Sequence, residues 1–581
     1  MTNKFKIFID KISNYFQFHF SNHNSLFAWG ASDTGVKIRI LVVLFGFVAC
    51  FVLISCKLLI ISNNNSRSSK TALSKGENFR KEILDRNGTL LAVNLPSSSL
   101  FANPAKVIDA EKSIEKLSKV LGNLDKSKLL SELKSNKSFV WIKRDLTPKE
   151  QADVFNLGLP GFDFEREQKR IYTFGNLFSH IIGYVGRDFN GLAGIEKQFD
   201  EFLTNRDPIT KKEDKNKPLV LSIDVRLQTI LNEEIERIMR EFRAKGAVGI
   251  IADPNNGEVL AMISKPDFDP HHPNNAKPEE LFNMASLGVI ETGSVFKALT
   301  IAVGFDTNIV RLNDAYDTSY MKIGKFQLKD YHPMKGWHSV AEIFMHSSNI
   351  GVAQIILEVG KVEFKRYLKN LGLLDQLQIE LPERGRPLFP SDSRWNDLSM
   401  ATMSYGYALS ISPLHFVQAT IPVVNGGKMY PLTLLKKEPQ SFIEGTRVFS
   451  EETSKNMKKL LRGVVQNGNS KKAEVKGYLV GGKTGTAEIL LNGRYIKNAR
   501  RSSFLGIMPA NDPKYIIYIW FDEPKGNKES FGFATAGWTA APAVGRVFER
   551  MVTLYGMEPV DELSPEVQDI INIQYKIEDE I

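Results

Sequence analysis

The sequence predicts an α+β protein carried on a single N-terminal membrane helix, and three observations predict it. An apolar run free of charge opens at Ile40; strand-like segments stand at both ends of the C-terminal part of the chain with helical patterns between them; and a Lys-rich stretch, Lys211 to Lys217, closed by Pro218, separates that part from an earlier folded region. The chain has 581 residues, 43% hydrophobic and 24% charged, so it can bury more than one core and has the composition of neither a disordered chain nor a polytopic membrane protein. Its only cysteines, Cys50 and Cys56, lie inside the apolar run, which excludes a disulfide framework or a cysteine zinc site elsewhere.

From Ile40 to Cys56 no charge interrupts the run, and after Lys57 it resumes through Ile61. As a helix, residues 40–61 would span about 33 Å, enough to cross a bilayer, and a buried core helix seldom lacks a polar face over that length. Residues 1–39 are too long a leader for a cleaved signal peptide, so an uncleaved signal anchor is expected, with 1–39 in the cytoplasm. Leu53-Ile54-Ser55-Cys56 resembles a lipoprotein cleavage box, a reading the long leader disfavours. Lys37 and Arg39 before the run against Arg67, Lys70, Lys75 and Arg80 after it invert the positive-inside pattern, but a large translocated domain overrides that rule.

Residues 62–75, rich in Asn and Ser, form a linker, and residues 76–218 a first domain. There Asn87-Gly88 between two apolar stretches signals a hairpin, charged helical patterns follow from Asp109 to Lys134, and the glycine-studded segment from Arg170 to Asp200 is expected to be loop-rich. The second domain, 219–559, opens with Leu219 to Asp224, a helical pattern to Phe242, and strands at Ala247–Ala252 and Glu258–Ser264 around a turn. Strands at Ser503–Met508 and Tyr515–Phe521 and a helical spacing of Val544, Val547, Phe548, Met551 and Val552 complete it, so an antiparallel sheet with a mostly helical insertion is expected. Residues 560–581 form an acidic tail on a chain whose net charge is +9, a balance that favours anionic partners without choosing among nucleic acid, lipid and acidic glycan.

The chemistry concentrates in three short motifs. Ser294-Val295-Phe296-Lys297 is a Ser-x-x-Lys that follows Gly293 and precedes the apolar helical run Ala298 to Val303, whereas Ser113, Ser131 and Ser319, which also have Lys three residues on, lack that context. At a helix start the dipole favours developing negative charge, and Lys297 at i+3 shares the face of Ser294. A serine hydroxyl needs a base, and lysine serves as one only where burial or a second cation lowers its pKa. Such a cation stands in Lys483-Thr484-Gly485-Thr486, and between the two lies Ser347-Ser348-Asn349, after a capping pattern Ser339-x-x-Glu342.

Ser-x-x-Lys, Ser-x-Asn and Lys-Thr-Gly in this order are the signature of penicillin-binding proteins and class A β-lactamases. The chain resembles the class B penicillin-binding proteins, the membrane-anchored peptidoglycan transpeptidases, over almost its whole length, with further matching stretches at Ile83–Ala92, Arg170–Glu196, Leu219–Gln228, Gly249–Ser264, Met400–Pro413 and Ser503–Pro524. Lys81, Thr173 and Thr292 depart from residues usual in the family, Gly, Pro and Pro respectively. The resemblance implies a non-catalytic pedestal before a penicillin-binding transpeptidase domain. It implies that Ser294 attacks a D-alanyl-D-alanine stem peptide, that Lys297 is its base, that Ser347 relays protons and Asn349 holds the substrate amide. It implies that Lys483, Thr484 and Thr486 bind the terminal carboxylate, with Gly485 in the same motif, and that the backbone N–H groups of Ser294 and Thr486 form the oxyanion hole. No cofactor, metal or nucleic acid is implied. The partners implied are stem peptides as donor and as acceptor amine, β-lactams, a division glycosyltransferase and other septal membrane proteins, with the catalytic domain periplasmic on a single-pass inner-membrane anchor. Ser404-Tyr405-Gly406-Tyr407-Ala408-Leu409-Ser410 resembles the division-type pattern, with Ala408 and Ser412 departing from it, rather than the elongation type.

Alternatives remain at this level. An elongation-type enzyme or a D,D-carboxypeptidase would share the triplet. Gly477 to Thr484 also satisfies the P-loop pattern, which needs a preceding strand and a helix beginning at Gly-Lys-Thr, whereas Gly485 and the Asn492-Gly493 turn predict a hairpin strand. The nine histidines, His271-His272 included, show no metal spacing, and no G-x-S-x-G is present.

Overall fold

The computed structural model describes residues 43–55, 57, 80–204, 217–438, 444–491 and 494–573, in two compact units that divide after Asn78. In the first unit residues 43–55 are helical, and Val43, Phe45, Phe47, Phe51 and Leu53 are all exposed, so the helix is apolar on every face. No helix among the described residues is long and apolar enough to cross a membrane. Residues 40–42, 56 and 58–61 of the expected span lie outside the described residues, as do 1–39 and the linker 62–75.

The second unit begins with a sheet built on one hairpin. Strands β1 (Ile83–Leu84) and β2 (Leu90–Ala102) flank Asn87-Gly88, where the Asp85 carboxylate accepts from the backbone N–H of Asn87 at 2.8 Å and of Thr89 at 2.7 Å. Helices α1 (Ala110–Leu121) and α2 (Lys126–Leu133) start at Asp109 and Asp125, whose carboxylates accept from backbone N–H groups three residues on. Strand β3 (Val140–Leu146), helix α3 (Pro148–Asn156) and strand β4 (Phe162–Tyr172) follow. β2 is the hub of the sheet, antiparallel to β1, β3 and β4. Its Leu100 and Ala102 face the helices with Leu117, Leu121 and Leu133, while Phe101 stacks on Phe139 at 4.7 Å on the other side.

Two expectations are corrected here. The segment from Arg170 to Asp200 is the end of β4 followed by short helices, Ser179–Ile182 and Gly194–Gln198 among them. They pack Ile181, Ile182 and Ile195 into the main core, an apolar signal that the intervening glycines break up in the sequence. Strand β5 (Leu219–Val220), expected to open the second domain, runs parallel to β1 and completes the first sheet; residues 205–216, which include most of the Lys-rich boundary stretch, lie outside the described residues.

Beyond β5 come helix α4 (Val225–Phe242) and strands β6 (Gly246–Ala252) and β7 (Val259–Lys265). The helical insertion contains α5 (Lys297–Asp306), α6 (Val340–Met345), α7 (Asn349–Val359) and α8 (Glu451–Gln466). The chain then returns through β8 (Gly481–Leu491), β9 (Arg494–Met508), β10 (Tyr515–Asp522) and α9 (Ala540–Tyr555). The five strands form one antiparallel sheet in the order β8-β9-β10-β6-β7. Every residue of β6 and β7 is buried, because α4 and α9 cover one face through Leu231, Ile235, Val544 and Phe548 and the insertion covers the other through Val295, Leu299 and Leu461. The start of the acidic tail is also ordered. Pro565–Ile571 is a helix with Val567 and Ile570 buried, and Asp569 pairs with Lys455 at 2.9 Å and Lys459 at 2.6 Å; residues 574–581 lie outside the described residues.

Candidate active site

Ser294 sits in a 3-10 turn, Gly293–Phe296, that runs directly into α5. Gly293 has φ +64°, and a Cβ there would stand 3.0 Å from the Cβ of Ala487 on β8, so the turn can press against the strand only with glycine at this position. Gly485 does the same from the strand side, since a Cβ there would meet Ser503 Oγ at 2.5 Å and Val295 Cγ1 at 2.9 Å. The two glycines thus bring the Ser-x-x-Lys and Lys-Thr-Gly motifs into contact. In the turn Gly293, Val295, Phe296 and Lys297 are buried and Ser294 is half-buried, and its hydroxyl has no hydrogen-bond partner among the described residues.

Lys297 is 0% exposed. Its Nζ donates to the backbone oxygen of Ser347 at 2.5 Å and lies 3.0 Å from Ser347 Oγ. Burial, and then the charge of Lys483, hold the Lys297 pKa well below that of an ordinary lysine, with Asp330 opposing. Lys483 is also 0% exposed; its Nζ donates to Thr484 O at 3.3 Å and lies 5.5 Å from the centre of the Phe344 ring, and burial brings its pKa down to about 7.

The Ser-x-Asn motif is held by a bond pattern with no sequence signature. Ser347 has φ +63°, a left-handed conformation uncommon for a residue with a Cβ and typical of functional sites. Ser348 caps α7, its Oγ accepting from Gly351 N at 3.0 Å and donating to Asp330 Oδ2 at 2.7 Å. The other Asp330 oxygen accepts from the backbone N–H of Asn349 and, at 3.1 Å, of Ile350. Asn349 Nδ2 donates to Lys329 O at 3.0 Å, which fixes the plane of its carboxamide. α6, which delivers the motif, opens with the expected capping box between Ser339 and Glu342.

β8 is the edge strand of its sheet, with Lys483 opposite Leu505, Thr484 opposite Phe504 and Thr486 opposite Ser502 on β9. Alternation puts Lys483 and Gly485 on one face and Thr484 and Thr486 on the other. Thr484 Oγ1 donates to Asn469 Oδ1 at 3.3 Å. Because Lys483 lies in a strand and not at a helix start, the P-loop alternative has no structural basis; Asn492 and Gly493 lie outside the described residues.

Ser294, Lys297, Ser347 and Lys483–Thr486 therefore meet at the junction of β8 with the start of α5, with Asn349 directly beyond Ser347 at the start of α7. Sequence reasoning missed Asp330 and Asn469, which belong to no motif, and Glu291, which is buried and accepts from Ala408 N at 2.7 Å and from Tyr495 Oη at 3.2 Å. Glu291 and its partners tie the Ser294 turn to the Tyr405-Gly406-Tyr407 loop, where Gly293 N also donates to Gly406 O at 3.1 Å.

Residues 247–544 match the penicillin binding protein transpeptidase domain, and residues 77–228 the penicillin-binding protein dimerisation domain. The chain is 38% identical over 543 residues to a probable peptidoglycan D,D-transpeptidase FtsI of Caulobacter vibrioides, covering 91% of this chain and 90% of that protein. It is 32% identical over 508 residues to a probable peptidoglycan D,D-transpeptidase PenA of Neisseria gonorrhoeae, covering 84% and 86%. Among solved structures, a peptidoglycan synthetase from Bifidobacterium adolescentis superposes with a TM-score of 0.65 at 20% identity, over 84% of this chain and 97% of that one, which shows the fold. With both domains matched in sequence order and the site contained in the second, the chain belongs to the penicillin-binding proteins, as a class B member that joins a dimerisation domain to a transpeptidase domain.

Proposed function

We propose that this chain is a peptidoglycan D,D-transpeptidase that cross-links stem peptides at the division septum, anchored by residues 40–61 with its catalytic domain in the periplasm. The observation that carries the reaction is one solvent-reachable serine beside two fully enclosed lysines. A neutral Lys297 has two N–H groups, which Ser347 O and Oγ can receive, and one lone pair, which is left for the Ser294 proton. Ser294 Oγ attacks the carbonyl of the penultimate D-alanine while its proton passes to Lys297 Nζ, and the oxyanion is met by the backbone N–H groups of Ser294 and Thr486. The proton returns through Ser347 Oγ to the leaving amine, D-alanine departs, and an acyl-enzyme remains. An amine of a neighbouring stem peptide then gives up its proton along the same path and takes the acyl group. Asn349 holds the donor's amide; Lys483, Thr484 and Thr486 hold its terminal carboxylate. A β-lactam acylates the same serine and stays there.

The septal assignment rests on the Ser404–Ser410 pattern and on the likeness to relatives named FtsI. Residues 76–218 serve as the pedestal through which septal membrane proteins, a glycosyltransferase among them, are engaged. The test is Ser294→Ala with a fluorescent penicillin: covalent label is lost while the thermal melt stays in place, and label retained at normal stoichiometry refutes the nucleophile. Stem peptides supplied with and without an acceptor amine separate cross-linking from hydrolysis, and depletion in cells is expected to give filaments with the tagged protein at midcell.

A further inference from the structure

Asn469 stands at the mouth of the cleft with its two amide atoms in different situations. Its Oδ1 accepts from Thr484 Oγ1 at 3.3 Å and from Ser470 Oγ at 3.1 Å, whereas its Nδ2 has no partner among the described residues and the side chain is exposed. The backbone behind it is held firmly. Ser470 is fully buried, Lys472 Nζ lies 3.2 Å from the centre of the Trp538 ring, and a Cβ on Gly537 would come within 3.0 Å of Asn469 O. On the far side of this loop a Cβ on Gly545 of α9 would meet Lys472 O at 2.9 Å. Nothing in the three motifs points to this residue.

A carboxylate is an acceptor only, so a site for one must supply donors. A threonine hydroxyl has one proton, and that of Thr484 is directed at Asn469, so Thr484 joins Thr486 in donating to an arriving anion only once that proton turns away from Asn469 Oδ1. Asn469 therefore governs the donor count on this edge of β8. We propose that Asn469 is a specificity-determining residue of the carboxylate subsite: its amide nitrogen donates to the substrate's terminal carboxylate, and its oxygen orients the Thr484 hydroxyl. The proposal rests on the reading of Ser294 as the acylated serine and extends it to an anion-recognition role for a loop outside the three motifs.

The consequence is selectivity for charge, not catalysis in general. Asn469→Asp replaces a donor by an acceptor and adds a negative charge, whereas Asn469→Ala removes the donor and releases Thr484. The experiment compares acylation rates for a penicillin with a free carboxylate and for its methyl ester, in the full-length protein and both variants, with thermal melts as a folding control. A hydrogen bond to a charged group lost at this position corresponds to about a ten- to hundredfold change in rate. Asn469→Asp is expected to lose that factor against the carboxylate and to change little against the ester, with Asn469→Ala showing a smaller loss of the same kind. Equal losses against both probes, or no loss against either, overturn the proposal. Wild-type protein that takes no label at Ser294 overturns the acyl-serine reading itself, so the two failures are distinguishable.

Discussion

Lys297 and Lys483 are enclosed side by side, and neither has a carboxylate as its nearest partner. An ammonium deprived of water favours its neutral form, and two of them disfavour each other further, so the low pKa of Lys297 is a property of the pair. As pH rises neutral Lys297, the base of the proposed mechanism, accumulates, while Lys483, its proposed carboxylate binder, loses its charge around pH 7. The second-order rate of penicillin acylation is therefore expected to be bell-shaped in pH, rising on Lys297 and falling on Lys483, and a flat profile from about pH 5 to 10 would remove lysine from the role of base. Stability carries the same signature. The folded chain binds fewer protons at Lys483 than the unfolded one, so its contribution is complete above the ordinary lysine pKa and is lost as pH falls toward about 7.

At the scale of elements, the start of α7 depends on one carboxylate. Asp330 receives the Ser348 hydroxyl and two backbone N–H groups, and places a negative charge at a helix N-terminus. Asp330→Asn keeps an acceptor but loses the charge and part of this set. It is expected to cost about 1–3 kcal/mol in urea unfolding and to slow acylation, because Asp330 holds Asn349 itself and Ser348, the residue after Ser347. It also removes the one charge that favours the ammonium form of Lys297, so the rising limb of the pH profile moves to lower pH; an unmoved limb with normal stability would leave Asp330 without a positioning role. This residue marks where sequence reading stops. Ser294, Lys297, Ser347 and Lys483 stand out in the sequence because each belongs to one of three short motifs in a set order, with a helix start marking Ser294 alone. Asp330 is a lone aspartate whose partners lie across a loop, and Asn469 is one of several polar residues in a turn; only folding distinguishes either from a solvated neighbour. The strands β6, β7 and β10 and the end of β9 from Ser503 are legible as apolar runs, since a sheet covered on both faces leaves that pattern, whereas the charged first part of β9 from Arg494 and the pairing of Leu219–Val220 with Ile83–Leu84 have no such signal.

Across the whole molecule the two matched domains are joined by a shared core. Ile83, Leu91 and Tyr172 of the first sheet share one apolar cluster with Leu221, Val248 and Val295 of the second domain. Within the first domain a buried charge network adds to this: Glu196 is 0% exposed and pairs through its two oxygens with Arg80 and, at 2.7 Å, Arg170, and Arg80 also reaches Asp200 at 2.7 Å. Glu196→Gln would leave two guanidinium groups buried beside a neutral amide, and breaking such a set by removing one partner costs about 3–5 kcal/mol. Urea unfolding should show that loss, while penicillin labelling well below the transition persists, since no group of this network touches the cleft; an unchanged midpoint would mean that water or neighbouring carboxylates replace the missing charge.

The strand order sets a schedule for assembly. β6, near the start of the second domain, lies between β7 and β10, and β10 ends at Asp522. β8, which supplies Lys483, is joined to that sheet only through β9. β1 likewise waits for β5. A chain that emerges from its N-terminus and closes contacts over such separations folds late and slowly. The Ser294 turn is therefore made long before the strand that presses on it, and Ser294 meets Lys483 only when nearly the entire polypeptide has been delivered. A chain stopped short of β10 carries Ser294 without the two-lysine enclosure, and on the proposed mechanism truncated products of synthesis are chemically silent toward the wall.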